Sequence, residues 1–270
     1  MIATQVFLTR PEGRNGSVPQ RLRESGMAVA ELPALAIQPL PLSRVPAPEN
    51  YDVIVFVSRY AAQRYLDIWA ANGGLAQRWP QATVAATVGA SSAQALLRGG
   101  LPAHAIVHPP ADAVDQDSEA LLALLQQRGT TMRRVLIVRG TQGRGWLAQT
   151  LTASGAQVEF LPVYERVAAP WPETATNNLS RALQRPQHCV FLLTSSEGVQ
   201  AMAKRLEAKC LLAAWSMSTF IVIHERIGAT LQSVFEARRI HDAVRIALCT
   251  PDDDSIVQAI HAVAGPTAEP

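Results

Sequence analysis

The feature that most constrains this 270-residue chain is that it says one thing twice. The segment VFLTRPEGRNGSVPQRLRESGMAVAELP, starting at Val6, lies without a gap on VLIVRGTQGRGWLAQTLTASGAQVEFLP, starting at Val135. Val6, Arg10, Gly16, Gln20, Leu22, Ser25, Gly26, Val29, Leu32 and Pro33 recur as Val135, Arg139, Gly145, Gln149, Leu151, Ser154, Gly155, Val158, Leu161 and Pro162. Weaker matches join VFVSRYAA at Val55 to FLLTSSEGV at Phe191, pairing Ser58 with Ser195. Others join ATVGASSAQALL at Ala86 to VIHERIGATL at Val222, and DSEALLALL at Asp117 to DSIVQAI at Asp254. A supersecondary pattern written twice is expected to be built twice. The chain therefore reads as two similar halves, about 1–130 and 134–270, each long enough to bury a core.

What each half contains follows from short runs rich in Val and Ile, each followed by a segment of helical periodicity. The runs lie at Gln5–Arg10, Asp52–Ser58, Ala82–Gly89, His104–Pro109, Val135–Gly140, Cys189–Ser195, Phe220–Glu225 and Val244–Cys249. Runs apolar on both faces suit parallel strands covered by helices on either side, and strands alternating with helices predict an α/β fold. Leu32–Glu49 and Leu161–Glu173 are proline-rich, cannot be helices, and read as extended connectors.

Composition narrows the function classes. With 48% hydrophobic and 17% charged residues the chain is globular. A net charge of +2 gives no footing for a nucleic-acid or membrane partner. Of 24 basic side chains only Lys204 and Lys209 are lysines; arginine forks suit carboxylates and phosphates, although a codon preference explains the bias equally well. Cys189, Cys210 and Cys249 are odd in number and lack metal-ligand or disulfide spacing. No export signal or membrane span is read, so a soluble cytoplasmic protein is expected.

In parallel α/β sheets ligands collect beyond the carboxyl ends of the strands. Gly140, Gly143 and Gly145 form a G-x-x-G-x-G turn, which is neither a dinucleotide fingerprint nor a P-loop. Arg10 and Arg139 end equivalent strands, in a role that is either structural or ligand-facing. Ser58 and the Thr194-Ser195-Ser196 run read as helix caps whose turns keep N–H donors for an anion. Gly89 opens a third turn, and His224 and Arg226 bring positive character to its counterpart.

Taken in order, VFLTRPEG…L…SG…V…LP, FVS ending at Ser58, VG…A…L from Val88, VLIVRG…G…L…L…G…V…PVYERV and FLLTSSEGV resemble the uroporphyrinogen-III synthase family over about residues 5–262. HERIGATL, from His224, resembles the proteobacterial form of the third turn. The resemblance implies two α/β domains, each a parallel sheet flanked by helices, joined by two extended connector strands. The first domain would be 1–36 plus 168–263 and the second 43–160. Residues 37–42 and 161–167 would connect them, and 264–270 would be a disordered tail. The two copies of the repeat would then face each other across a cleft.

The resemblance also implies a chemistry. Hydroxymethylbilane, a linear tetrapyrrole with eight carboxylates, loses its terminal hydroxyl and closes through a spiro intermediate with the last ring inverted. Without enzyme it closes to the uninverted type I isomer, so a conformation must be imposed as well as a barrier lowered. No cofactor or metal is implied, and the only partner is the tetrapyrrole, bound by a monomer. Tyr164, of the Val-Tyr motif, would be the catalytic group: a phenol keeps its proton at neutral pH and can donate to a departing hydroxyl. Packing as a connector aromatic is the plainer role open to it. Substrate carboxylates would be held near Arg10, Ser58, Gly89, Arg139, Gly140, Thr194, Ser195, Ser196, His224 and Arg226. Where some relatives carry Ser-Pro-Arg, this chain has Ser58-Arg59-Tyr60. Two other readings are a two-domain small-molecule sensor and a nucleotide-dependent transferase using the Gly140 turn; the glycine order speaks against the second.

Overall fold

In a computed structural model of the chain, residues 4–74, 78–110, 117–143, 145–241 and 243–264 are described. Contacts divide it not near residue 130 but into one unit of residues 1–37 and 167–270 and another of residues 38–166. The reason is the path of the chain, which leaves the first unit after one βαβ piece and returns only when the second is complete.

The first unit opens with strand β1 (Gln5–Leu8), helix α1 (Val18–Glu24) and β2 (Ala28–Glu31). Strand β3 (Leu35–Pro39) leads out of it. The second unit holds β4 (Val53–Phe56), α2 (Arg59–Ala71), β5 (Val84–Thr87), α3 (Ala90–Arg98), β6 (Ile106–Val107) and α4 (Ser118–Gln127). It closes with β7 (Arg134–Gly140), α5 (Trp146–Ala153) and β8 (Gln157–Ala168). The first unit then resumes through α6 (Glu173–Ala182), β9 (Cys189–Leu193), α7 (Ser196–Glu207), α8 (Leu212–Ser216), β10 (Thr219–Val222), α9 (Glu225–Glu236), β11 (Arg245–Leu248) and α10 (Asp253–Ala264). Helix α10 thus runs through Ala264, and the rest of the expected tail, 265–270, lies outside the described residues.

The sheet of the first unit has the order β2-β1-β9-β10-β11, with every pair parallel. That is the doubly wound order, with its switch point between β1 and β9. One face, carrying Phe7, Phe191 and Phe220, packs on α6, α7, α8 and α9 around a fully buried Trp215. The other, carrying Val6, Leu8, Val190 and Leu192, packs on α1 and α10. Alternate residues of one strand serve opposite faces, which is why these runs read as continuously apolar.

The second sheet has the order β3-β8-β7-β4-β5-β6. Its strands β8, β7, β4, β5 and β6 repeat the spatial order of the first sheet, and all of their pairs are parallel. Ile54, Phe56, Leu136 and Val138 meet α2 and α3 on one face, while Val53, Val55, Val135 and Ile137 meet α4 and α5 on the other. The switch point here lies between β7 and β4. The register repeats as well: Gln5 opposite Ala28 and Leu8 opposite Glu31 become Arg134 opposite Gln157 and Ile137 opposite Phe160.

Two expectations change. A wholly parallel second sheet was expected, but β3, one of the extended connectors, adds to its edge running against β8. The Leu40 N–H donates to Val163 O at one point, and the Ala169 N–H donates to Ala34 O further along the two passes. The other connector is not free-standing either; it is the long strand β8, paired with β7 through a register shift at Arg139/Gly140. Among the described residues no helix is long and apolar enough to cross a membrane.

Candidate functional site

The switch point of the second unit is built by the ends of β4 and β7, with Tyr164 of β8 beside them. Strand β4 stops at Phe56, and Ser58, in extended backbone, caps α2 by accepting the Ala61 N–H on its Oγ at 3.1 Å. A capped helix still has first-turn N–H groups without intrahelical acceptors, here those of Arg59 and Tyr60. Strand β7 ends at Gly140, which the register shift sets opposite Tyr164. A Cβ on Gly140 would stand 2.8 Å from Tyr164 Cε2 and 2.9 Å from Cζ, so only glycine lets the phenol lie across this strand end. The Thr141 N–H in turn donates to Tyr164 O at 2.9 Å.

Tyr164 is only 5% exposed and its ring belongs to the apolar cluster of the α2/α3 face. Its hydroxyl lies 3.4 Å from Ser58 Oγ, longer than an ordinary O–H···O bond, so the group keeps hydrogen-bonding capacity. The Tyr60 ring meets the Tyr164 ring edge-on, centroids 5.2 Å apart at 80°. The two readings of Tyr164 are therefore compatible: the ring packs, while the hydroxyl stands at a strand-end turn.

Arg139, one residue before Gly140, lays its guanidinium over Phe160 at 5.2 Å and donates from Nε to Gly140 O at 3.1 Å. A side chain on Gly143 (φ +149°) would stand 2.7 Å from Arg139 Nη2; the bare backbone there leaves the guanidinium its room. Among the described residues Arg139 has no carboxylate partner. Gly89, in the next turn, precedes α3 with nothing within 4 Å of where a Cβ would stand.

The first unit places its equivalents in the same way and uses them differently. Ser195 caps α7 by accepting the Gly198 N–H at 3.0 Å, and a Cβ on Gly198 would lie 2.9 Å from that Oγ. Thr194 and Ser196 flank the cap, and Ser196 Oγ hydrogen-bonds Thr230 Oγ1 at 2.8 Å. His224 is the cap of α9, its Nδ1 accepting the Arg226 N–H at 3.1 Å; Arg226 itself is exposed. Arg10 is committed: it lies 3.4 Å from Asp253 Oδ1 and donates to Pro251 O at 2.7 Å. Asp253 Oδ2 also takes the Ser17 N–H at 2.8 Å and Ser17 Oγ at 3.0 Å. These bonds, the Ser17 N–H foremost, hold the Asp253 carboxyl below the usual carboxylate range.

Within the second unit the geometry therefore gathers Ser58, Arg139, Gly140 and Tyr164, with Gly89 one turn along. Within the first it gathers Thr194, Ser195, Ser196, His224 and Arg226, and ties Arg10 into the fold. Sequence reasoning passed over Tyr60 as a contact of Tyr164, Asp253 as the partner of Arg10 and Thr230 as the partner of Ser196. Tyr60 was legible as the second residue of a capped helix turn. Asp253 was not, being a partly buried acid at the far end of the chain.

The family model described as uroporphyrinogen-III synthase HemD matches residues 17–238. Uroporphyrinogen-III synthase of Proteus mirabilis is 29% identical over 170 residues, covering 60% of this chain and 80% of that protein. The enzyme of that name from Salmonella typhimurium is 30% identical over 178 residues, covering 60% of this chain and 65% of the relative, just under two thirds of its length. The crystal structure of uroporphyrinogen-III synthetase from Helicobacter pylori superposes with a TM-score of 0.57 at 16% identity, covering 95% of this chain and 97% of that one. At that identity the likeness concerns the fold.

Proposed function

The chain belongs to the uroporphyrinogen-III synthase family, and from that premise we propose that it cyclises hydroxymethylbilane to uroporphyrinogen III with Tyr164 as the proton donor. The observation that carries the assignment is the Tyr164 hydroxyl, 3.4 Å from Ser58 Oγ and beside a strand end that only glycine can provide. The phenol donates to the terminal hydroxyl of the substrate as its C–O bond breaks and water leaves. The resulting electrophilic azafulvene is attacked by the substituted carbon of the last pyrrole. The spiro intermediate reopens and recloses with that ring inverted.

Because the substrate closes unaided to type I, holding its carboxylates fixed matters as much as proton donation. In the second unit the holders are Arg139, the Gly140 backbone and the first turns after Ser58 and Gly89. Helix N-termini favour such anions by about 0.3–1 kcal/mol each when exposed, and an arginine fork adds a charge-assisted bond. The strand ends of the first unit offer the same chemistry through Thr194, Ser195, Ser196, His224 and Arg226. Arg10, already paired with Asp253, serves the fold. The same reading takes the enzyme as a cytoplasmic monomer without nucleic-acid or membrane partners, which size-exclusion chromatography with light scattering tests for the oligomeric state.

The experiment is an isomer assay: fresh hydroxymethylbilane is supplied, the product oxidised, and uroporphyrins I and III separated. Type III should dominate, and Tyr164→Phe should slow its formation by about a hundredfold, the lower range for losing a general acid. Type I alone, formed at the no-enzyme rate by folded protein, would sink the reaction. Full turnover by Tyr164→Phe would remove the hydroxyl from it.

A further inference from the structure

We infer that Tyr60 is a positioning residue for the Tyr164 hydroxyl, an inference that rests on the reading of Tyr164 given above. The hydroxyl is held weakly at its tip, where the Ser58 contact is 3.4 Å. A buried phenol with so long a contact at its oxygen takes its aim from whatever packs on the ring. Two groups do so at this strand end. The Gly140 backbone lies so close that a single added carbon would collide, and the Tyr60 ring meets it at 5.2 Å and 80°.

Ser58 and Tyr60 belong to one turn: Ser58 is the cap of α2 and Tyr60 its second residue. The cap bond from the Ala61 N–H fixes Ser58, and the helix then fixes Tyr60 against the ring. One rigid turn therefore sets both the tip and the edge of Tyr164. The Tyr60 hydroxyl has no hydrogen-bond partner among the described residues, so its ring makes the contact. This separates the Tyr60 side chain from a group that touches substrate: its effect should pass entirely through Tyr164, and a ring without the hydroxyl should suffice.

The test compares Tyr60→Leu, Tyr60→Phe, Tyr164→Phe and the Tyr60→Leu/Tyr164→Phe double variant, at enzyme concentrations where unaided closure is negligible. Tyr60→Leu should lower kcat by about two- to tenfold, the range of an aromatic pair, with KM nearly unchanged. It should also raise the fraction of type I product released by the enzyme. Tyr60→Phe should restore most of the loss, and Tyr60→Leu should cost nothing further in the Tyr164→Phe background. If Tyr60→Leu lowers the melting temperature by more than a few degrees, Tyr60→Met replaces it in the cycle. An equal loss in both backgrounds, or a change in KM alone, would overturn the positioning role. Unimpaired Tyr164→Phe is a separate result, one that removes the premise.

Discussion

Arg10 and Arg139 end equivalent strands of equivalent βαβ pieces, in the same register and beside the same kind of turn, yet they have opposite surroundings. Arg10 is 12% exposed in its side chain and faces Asp253, whose other oxygen is taken by Ser17. Arg139 lies on the half-exposed Phe160 with no carboxylate among the described residues beside it. In the first unit an internal carboxylate, delivered by the start of α10, sits against the βα turn. In the second, no carboxylate among the described residues takes that place, and the guanidinium donates to Gly140 O instead. Two copies of one pattern have thus parted, one arginine paired with an internal carboxylate and the other lying on an aromatic ring.

The largest effect expected from that difference is a pair of arginine substitutions with crossed outcomes. Arg139→Ala should lower kcat/KM for type III formation by about ten- to a hundredfold, as for one lost hydrogen bond to a charged group, with little change in melting temperature. Arg10→Ala should leave KM near its original value. It should lower the melting temperature by about 3–6 °C, since a partly buried pair worth ~1–2 kcal/mol is broken in a chain of this size. Steady-state kinetics and thermal denaturation of both variants check this. Parallel losses of KM and stability in the two would erase the distinction.

These two arginines also mark how far the sequence could be read. The strands and their order along the chain were visible because doubly covered strands are apolar on both faces, as in Val53–Phe56, and the Ser58 and Ser195 caps stood where chain chemistry demands an N–H acceptor. Strand β2, Ala-Val-Ala-Glu at a sheet edge, carries no such run. Strand β8 read as a connector because Pro162 and several exposed residues break its pattern. The fate of Arg10 was out of reach, because its partner lies 243 positions away and nothing local points to it. His224 was read for its positive character alone, and the capping of α9 by its Nδ1 was not foreseen.

The repeated glycines sharpen the comparison at a smaller scale. Gly16 has φ +54°, and a Cβ there would lie 2.3 Å from Asp253 Oδ2. Gly145, its equivalent, has φ −99° and would bring a Cβ only to 3.6 Å from Gln149 Nε2, ordinary contact. Gly16→Ala should therefore destabilise by about 1–3 kcal/mol, through left-handed backbone and a displaced carboxylate. Gly145→Ala should cost less than about 1 kcal/mol, the scale of a weaker helix cap. Denaturant titration of both variants measures the contrast, and similar values would mean that the Asp253 carboxylate moves aside freely.

The smallest effect expected is a pH dependence that belongs to the first unit. The Asp253 carboxyl, held below its usual range chiefly by the Ser17 N–H, is more acidic folded than unfolded. Its stabilising share is therefore complete above the unfolded carboxylate value, about 3.9, and is lost as the pH falls through that value towards the lower folded one. Asp252, lowered to about 2 by the Thr250 hydroxyl and the Ser255 N–H, titrates below that window and is present in wild type and variant alike. Asp253→Asn should therefore melt lower than the wild type at pH 7 and approach it as the pH drops from about 5 to 3. A melting-temperature difference that stays constant down to pH 3 would mean that Asp253 acts through shape alone, and that Arg10 is held by the Pro251 carbonyl rather than by charge.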